Sequence, residues 1–456
     1  MPTYPEMPML EFVTLVRDWI WSAPLMALLL GTGVWFSIIL GWVQFRHLPK
    51  ALRLLTITER GHHHGEISNF QSLMGALSST VGVGNIAGVA TAVAAGGPGA
   101  IFWIWCTGVV GAATKYAEAL LAVHYRVRTD KGTFCGGPMY YIESGLGQKW
   151  LAVLFAAFTV LASFGIGNTV QGNAINAALT GLWPGLSPKV VAAALTLLVG
   201  IVVFGGLGRL AKVVSVLVPV MIGLYVVAVG IILLCKASTL PSAFAEIFRC
   251  AFTPTAATGG FAGSMVKATV SVGLSRGLFS NEAGMGSSPI IAAAAKTKDP
   301  AAQALVSMLQ TIIDTLVVCT LTGLALTVTG TWTSGATGPA LTMQAFECVL
   351  GPAGGWIVSL SLVLFAYSTL IGWAYYGERA LTYLAGERSV PVYRAIFVAT
   401  VSAGVLMRLE VVWQLSDVLN GLMAAPNLLA LLCLTPVVLG QTRTFLRTKH
   451  QKTRNS

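Results

Sequence analysis

The amino-acid sequence predicts an all-α polytopic membrane protein with about 11 transmembrane helices. Three observations carry that expectation. The 456-residue chain is 55% hydrophobic and only 10% charged, a balance foreign to water-soluble domains. Apolar runs of roughly 18 residues or more recur along its whole length, as spanning helices require. Two membrane-length segments also carry the same glycine-interrupted pattern 202 positions apart. The first reads Gly75, Ser78, Gly82, Gly84, Ala90, Ala92, Pro98, and the second Gly277, Ser280, Gly284, Gly286, Ala292, Ala294, Pro300. Together these give one extra N-terminal span and a 5+5 inverted repeat, with a discontinuous first helix in each repeat.

In chain order, Glu6, Glu11, Arg17 and Asp18 accompany an expected short interfacial helix around residues 10–21. The first apolar run, residues 23–45, is too long for a signal-peptide core and is followed by no small-residue cleavage site, so it reads as a retained span. Further spans are expected near 70–96, 99–124, 150–178, 189–206 and 211–234, then near 266–295, 301–329, 355–377, 392–408 and 412–439. The corresponding units are 1–69 (interfacial segment, extra span and cytoplasmic loop), 70–234 (first repeat), 235–265 (extracellular loop), 266–440 (second repeat) and 441–456 (basic cytoplasmic tail). An odd number of spans per half sets the halves in opposite orientations, and the shared pattern falls on the first span of each. Loop 235–265 holds an amphipathic stretch at 242–251, and loop 330–354 is its Thr- and Gly-rich counterpart; each reads as a lid over an entrance or as a solvated connector.

The formal charge of +11 is distributed as a membrane topology signal rather than as a nucleic-acid surface. Alternate loops hold Arg46, Lys50, Arg53, Arg60, Arg126, Arg128, Lys131, Lys149, Arg209, Lys212, Lys296, Lys298, Arg379, Arg388, Arg394 and the basic tail. The opposite loops hold only Arg17, Lys189, Lys236, Arg249, Lys267 and Arg408. The positive-inside rule therefore puts the C-terminus in the cytoplasm and the N-terminus outside, in the cell membrane. The seven cysteines show no metal spacing; Cys235, Cys250 and Cys348 share the outer loops, where a disulfide is chemically allowed.

The polar residues inside the spans carry the chemistry. Where the first helix breaks, at Ser78-Ser79-Thr80-Val81-Gly82-Val83-Gly84-Asn85, N–H groups at the start of the second half-helix suit a carboxylate. Freed carbonyls with Ser, Thr and Asn oxygens suit a hard cation such as sodium; close packing of small residues is the structural alternative. The second break contains Phe279-Ser280-Asn281-Glu282, a polar run that is costly in lipid unless it faces water, an ion or partners. Glu282 can hold a substrate ammonium or fix the broken backbone. Lys115 and Glu118, three apart, read as an internal ion pair, and Asp314 as a gate or a tie between helices. Asn168, Gln171, Asn173 and Asn176, following Phe164, form a stripe that lines a path or bonds between helices. Ser368 and Thr369 can complete a sodium shell, with Trp373 capping a small pocket. None of the six histidines lies mid-membrane, and the His62–His64 cluster reads as solvated.

The stretch 96–116, GGPGAIFWIWCTGVVGAATKY, resembles the signature of the alanine or glycine:cation symporter family. So do Ser78 to Gly88 and Ser280 to Ser287, and the resemblance covers nearly the whole chain. It implies a prokaryotic importer of alanine, and sometimes glycine, coupled to sodium, with a fold similar to that of the sodium-coupled leucine transporters. On the Gly-x-Gly-Asn of that fold, here Gly82, Gly84 and Asn85, it implies a carboxylate site at Gly82 and Gly84, with Thr80 lining the substrate pocket. It also implies an ion site of the Ser78 and Val81 carbonyls with the Ser368 and Thr369 hydroxyls, and a second ion site using Asn85.

The expected activity is sodium-coupled symport of small neutral amino acids by rocking of spans 70–124 and 266–329. The expected substrate contacts are Thr80, Gly82, Gly84, Phe164, Asn168, Phe279, Ser280, Asn281, Glu282 and Trp373; the ion contacts are Ser78, Val81, Ser368, Thr369 and Asn85. The partners are then a small amino acid, Na+ and the bilayer, with no covalent cofactor, nucleic acid or obligate protein partner. A proton-coupled symporter is the alternative. A channel would want a continuous polar pore, and an intramembrane enzyme a metal or nucleophile motif; the sequence displays neither.

Overall fold

The computed structural model describes residues 7–56, 65–129, 132–253, 262–407 and 409–454; His62, His63, His64, Arg60, Lys131 and Arg408 lie outside the described residues. The described chain is almost entirely helical, with a single two-stranded hairpin, β1 (Val127–Arg128) and β2 (Phe134–Cys135).

Helix α1 (Met7–Ile20) lies against the start of the late helix 409–433, with the Trp21 indole donating to the Asp417 carbonyl at 2.8 Å. Helix α2 (Ala23–Ile39) follows. It is shorter than the expected span 23–45, because Gly41 (φ +63°) and Trp42 (φ +57°) turn the chain left-handed and end the helix. The first broken span is α3 (Asn69–Thr80) and α4 (Val89–Gly96), joined through a wide turn at Gly84–Gly88 and bent by 53°. Then come α5 (Gly99–His124), the short α6 (Pro138–Leu146), and a long span built of α7 (Lys149–Phe164), a wide turn at Gly165–Thr169, and α8 (Val170–Leu182). Helices α9 (Pro188–Val203) and α10 (Gly206–Cys235) follow.

The amphipathic stretch expected at 242–251 is helix α11 (Leu240–Phe252). Its Phe248 and Phe252 rings sit 5.6 and 5.0 Å from Phe102. The second broken span is α12 (Ala262–Asn281) followed by a single turn, α13 (Pro289–Ala292). This corrects the expected span 266–295: residues 282–288 are unwound, and little helix remains beyond them. Next are α14 (Pro300–Thr311), a wide-turn segment Ile312–Cys319, and α15 (Thr320–Thr329). The Thr- and Gly-rich connector is not loop throughout but holds α16 (Gly338–Leu350). Helix α17 (Pro352–Ala385) outruns the expected 355–377, α18 (Val390–Leu406) follows, and the expected 412–439 is divided at Leu434 into α19 (Leu409–Cys433) and α20 (Thr435–Arg454).

Seven helices among the described residues are long and apolar enough to cross a membrane, and the bent pair 69–96 makes an eighth. Helix α9 is short at 16 residues, and α5 is diluted by Lys115, Glu118 and two tryptophans. Burial is graded as in a membrane bundle. Helices α9, α10 and α18 turn Leu197, Leu198, Val216, Val220, Val227 and Ile396 outward, where lipid is their solvent. The α3–α4 span, α5, α13 and α14 form the buried centre, and every residue of α14 from Ala301 to Thr311 is buried. All seven cysteines are free.

Candidate functional site

The two breaks meet in the middle of this centre, and each broken backbone is held by side chains. In the first, α3 is capped at its start by the reciprocal Ser68–Gln71 pair and ends at Val81, whose ψ of 92° is extended. The Gly82 N–H donates to Asn85 Oδ1 at 2.9 Å, so an asparagine oxygen stands in for the missing helical acceptor. The Asn85 amide nitrogen in turn donates to Asp314 Oδ1 at 2.7 Å. In the second break Glu282 (φ +54°), Gly284 (φ +88°) and Gly286 (φ +78°) are all left-handed. A non-glycine residue there is strained, as is common where backbone serves a site.

Between the breaks lies a small chamber of ≈ 20 Å³ lined by Thr80, Gly82, Gly84, Phe279, Ser280, Glu282, Thr369 and Trp373, all singled out in the sequence, and by Ser79, Val83, Ile166 and Gln171. The Glu282 carboxylate accepts from the Trp373 indole at 3.2 Å and from the Ser287 hydroxyl. Trp373 itself is seated against Gly167, where no larger residue fits. The Gln171 amide donates to the Ile166 carbonyl at 3.0 Å, and its oxygen is buried with no hydrogen-bond partner.

Three expected substrate contacts lie elsewhere. Phe164 packs on Tyr393 and Phe397, with centroids 5.5 and 5.7 Å away. Asn168 donates to the Phe397 carbonyl at 2.7 Å. Asn281 bonds to Thr107, Thr315 and the Ala283 N–H, fixing the end of α12. The cause for the first two is the wide turn Gly165–Thr169: its i→i+5 geometry inserts about one residue into the helical register. A regular helix would put residues 164, 168 and 171 on one face. With the insertion, Gln171 faces the chamber while Phe164 and Asn168 face α18. Gln171 was visible only as one member of a polar stripe.

The expected ion contacts cluster beside the first break. The Ser368 hydroxyl donates to the Phe365 carbonyl at 2.8 Å and shares its proton with the Ser78 carbonyl at 3.1 Å. Thr369 Oγ1 donates to the same carbonyl at 3.0 Å, and it stands 2.6 Å from where a side chain on Gly82 would begin. Hydroxyls whose protons are spent on their own helix keep oxygen lone pairs for a cation. Asn85 sits apart, in a second polar knot around Asp314. There Ser280 Oγ and Thr315 Oγ1 each donate to Asp314 Oδ2 at 2.9 Å. Asp314 lies in the wide-turn segment Ile312–Cys319 between α14 and α15, so its carboxylate ties both breaks to that span.

The remaining buried charges of the centre are Lys115 and Glu118, 3.3 Å apart. With Glu282 and Asp314, three carboxylates face one ammonium. Charge of that kind, uncompensated in a low-dielectric interior, attracts cations or protons.

Two larger cavities, of ≈ 1050 and ≈ 460 Å³, reach the chamber from the α1 side. Phe279 lines the first cavity and the chamber, and Val83 the second and the chamber. On the opposite side the broken spans are latched. Glu66 N–H donates to the Ala294 carbonyl and Lys296 N–H to the Ile67 carbonyl, both at 2.8 Å. Arg126 donates to the carbonyls of Ala293, Ala295 and Thr297 at 3.0, 2.9 and 2.8 Å.

A family model described as the sodium:alanine symporter family matches residues 7–456. The chain is 46% identical over 440 residues to an uncharacterized transporter of Haemophilus influenzae, covering 96% of each chain. It is 44% identical over 459 residues to the sodium/alanine symporter AgcS of Methanococcus maripaludis, covering 99% of this chain and 100% of that one. In fold it is similar to a Na+-coupled sialic acid symporter solved in a substrate-bound, outward-open state. The TM-score there is 0.51 at 12% identity, over 91% of this chain and 85% of the other.

Proposed function

The chain belongs to the sodium:alanine symporter family, a family of transporters rather than enzymes with the leucine-transporter-like fold, and on that premise we propose that it imports small neutral amino acids, alanine first, together with sodium. The observation that carries this reading is the chamber between the two breaks, walled by Phe279 and Trp373 and lined by hydrogen-bonding groups and one carboxylate. The backbone N–H at Gly84 meets the substrate carboxylate beside Gly82, whose own N–H is held by Asn85, and the unpartnered Gln171 oxygen with Thr80 and Ser280 meets its ammonium. One sodium takes the Ser78 and Val81 carbonyls with Ser368 and Thr369. Asn85, Ser280 and Asp314 offer a second cation position, where an aspartate supplies a full negative charge. Phe164, Asn168 and Asn281 act as supports behind the site.

At ≈ 20 Å³ the chamber holds about one water, so alanine enters only when a wall moves. Phe279 and Val83 are those walls on the α1 side, which the basic-residue bias makes the outer side. The Ile67–Ala295 contact and Arg126 close the cytoplasmic side. Alternating access is release of one closure while the other holds, by rocking of 69–124 and 262–329 against the rest. Sodium and substrate must raise each other's affinity, and that coupling is reciprocal. A methylene more or less discriminates by only roughly 1–3 kcal/mol, so glycine and serine are expected competitors.

The deciding test is uptake of labelled alanine into proteoliposomes, with and without an inward sodium gradient. Concentrative uptake that collapses without sodium, and falls at least tenfold in Ser368→Ala/Thr369→Ala, is the expected outcome. Uptake driven by a proton gradient alone would retain the fold and overturn the sodium assignment.

A further inference from the structure

We propose that Lys115, Glu118 and Asn427 form a clamp that shapes the unwound linker 282–288, and through it sets substrate affinity without touching the substrate. The proposal rests on the reading of the chamber as the substrate site. The linker owes its shape to three alternate left-handed residues, Glu282, Gly284 and Gly286. Left-handed backbone leaves the regular helical ladder, and beyond the Met285 N–H on the Glu282 carbonyl at 3.2 Å the linker draws partners from outside. Each of the three receives one from the clamp. Lys115 Nζ donates to the Glu282 carbonyl at 2.8 Å. Asn427 Nδ2 donates to the Gly284 carbonyl at 2.8 Å. Glu118 Oε1 accepts from the Gly286 N–H at 3.0 Å.

The three clamp residues are also bound to one another. Lys115 Nζ lies 3.3 Å from Glu118 Oε2, and Asn427 Nδ2 donates to Glu118 Oε1 at 2.7 Å. Lys115 donates further to Ser288 Oγ at 2.8 Å, and the Tyr141 hydroxyl donates to the Asn427 oxygen. All three clamp side chains are at most 1% exposed, and none lines the chamber. Residue 282 therefore has two sides. Its carboxylate faces the chamber, against Trp373, while its carbonyl is pulled away by Lys115. An ion pair serving only itself could be exchanged for neutral residues at little cost. Here the charged ends are spent on linker backbone, so the exchange should cost the chamber its geometry. Lys115, Glu118 and Asn427 are positioning residues.

The test uses the full-length protein and Lys115→Met/Glu118→Gln, which removes both charges of the pair together. Two readouts are taken: amide hydrogen exchange across 278–292, and alanine uptake resolved into KM and maximal rate at saturating sodium. Expected are exchange at least tenfold faster in the linker but unchanged in α9 and α10, and a KM raised at least tenfold with maximal rate within threefold. Unchanged linker exchange, or a KM within twofold of the parent, overturns the clamp. Should the double variant not fold, Asn427→Ala keeps the Lys115–Glu118 pair and removes the Asn427 bonds to Gly284, Glu118 and Tyr141; it must speed exchange at residues 283–286 or the clamp fails. Absence of alanine uptake by the parent protein would sink the substrate reading instead, and linker exchange would still decide the clamp.

Discussion

Gly82 and Gly284 occupy the same place in the sequence repeat, yet they answer different demands. At Gly82 the demand is space, because a Cβ would lie 2.6 Å from Thr369 Oγ1. Gly82→Ala is expected to displace that hydroxyl and raise the sodium concentration for half-maximal uptake at least tenfold, with little change in melting temperature. At Gly284 the demand is conformation as well as space, with φ at +88° and Leu29 and Leu428 close by. Gly284→Ala should therefore cost about 1–3 kcal/mol of stability, seen as a lower melting temperature in detergent. Gly88, in the wide turn of the first break, has open space where a Cβ would go, so Gly88→Ala should fold and transport within twofold of the parent. The sequence could show that glycines matter at 82 and 284. It could not show that one makes room and the other makes a turn, since that depends on what packs opposite.

At the level of elements, the α13 end is held by two kinds of bond, the backbone contact at Ile67–Ala295 and the Arg126 guanidinium on three carbonyls. Bonds to a charged group are worth about 1.5–3 kcal/mol each where water is excluded. Arg126→Ala should loosen the latch, read as at least tenfold faster amide exchange at Glu66, Ile67 and Lys296; unchanged exchange would mean that the backbone contact suffices. On the other side, α11 buries Cys250 beside Glu246. Burial first, then the neighbouring carboxylate, pushes its thiol up to about 12. Between pH 7 and 9 Cys250 is then protonated, and maleimide should label the exposed Cys235 and Cys348 far faster than Cys250; equal rates would contradict this environment. The amphipathic pattern of α11 was legible in the sequence. The short α13 was not, because the clamp that unwinds 282–288 comes from α5 and α19, far away in sequence.

For the whole molecule, the governing quantity is the charge of the centre, three carboxylates against one ammonium. A bound cation relieves it, and a ligand that binds the folded state stabilises it by about 2.7 kcal/mol at a hundred times its Kd. Sodium, unlike choline, should raise the melting temperature, and alanine should raise it further only with sodium present. Asp314→Asn should reduce the sodium effect; an undiminished effect would place the binding entirely at Ser368 and Thr369.

The membrane class, both helix breaks and most residues lining the chamber are legible in the linear chain. Each is written in local signals: apolar length, glycine spacing and the high cost of polar groups in lipid. Tertiary structure alone decided which polar residues face the chamber. The wide turn at Gly165–Thr169 carries Gln171 inward and Phe164 and Asn168 outward, and Asp314 draws Asn85 and Ser280 into one knot. Those outcomes depend on helical register and on partners more than 200 positions apart for Asn85, and a one-dimensional pattern records neither.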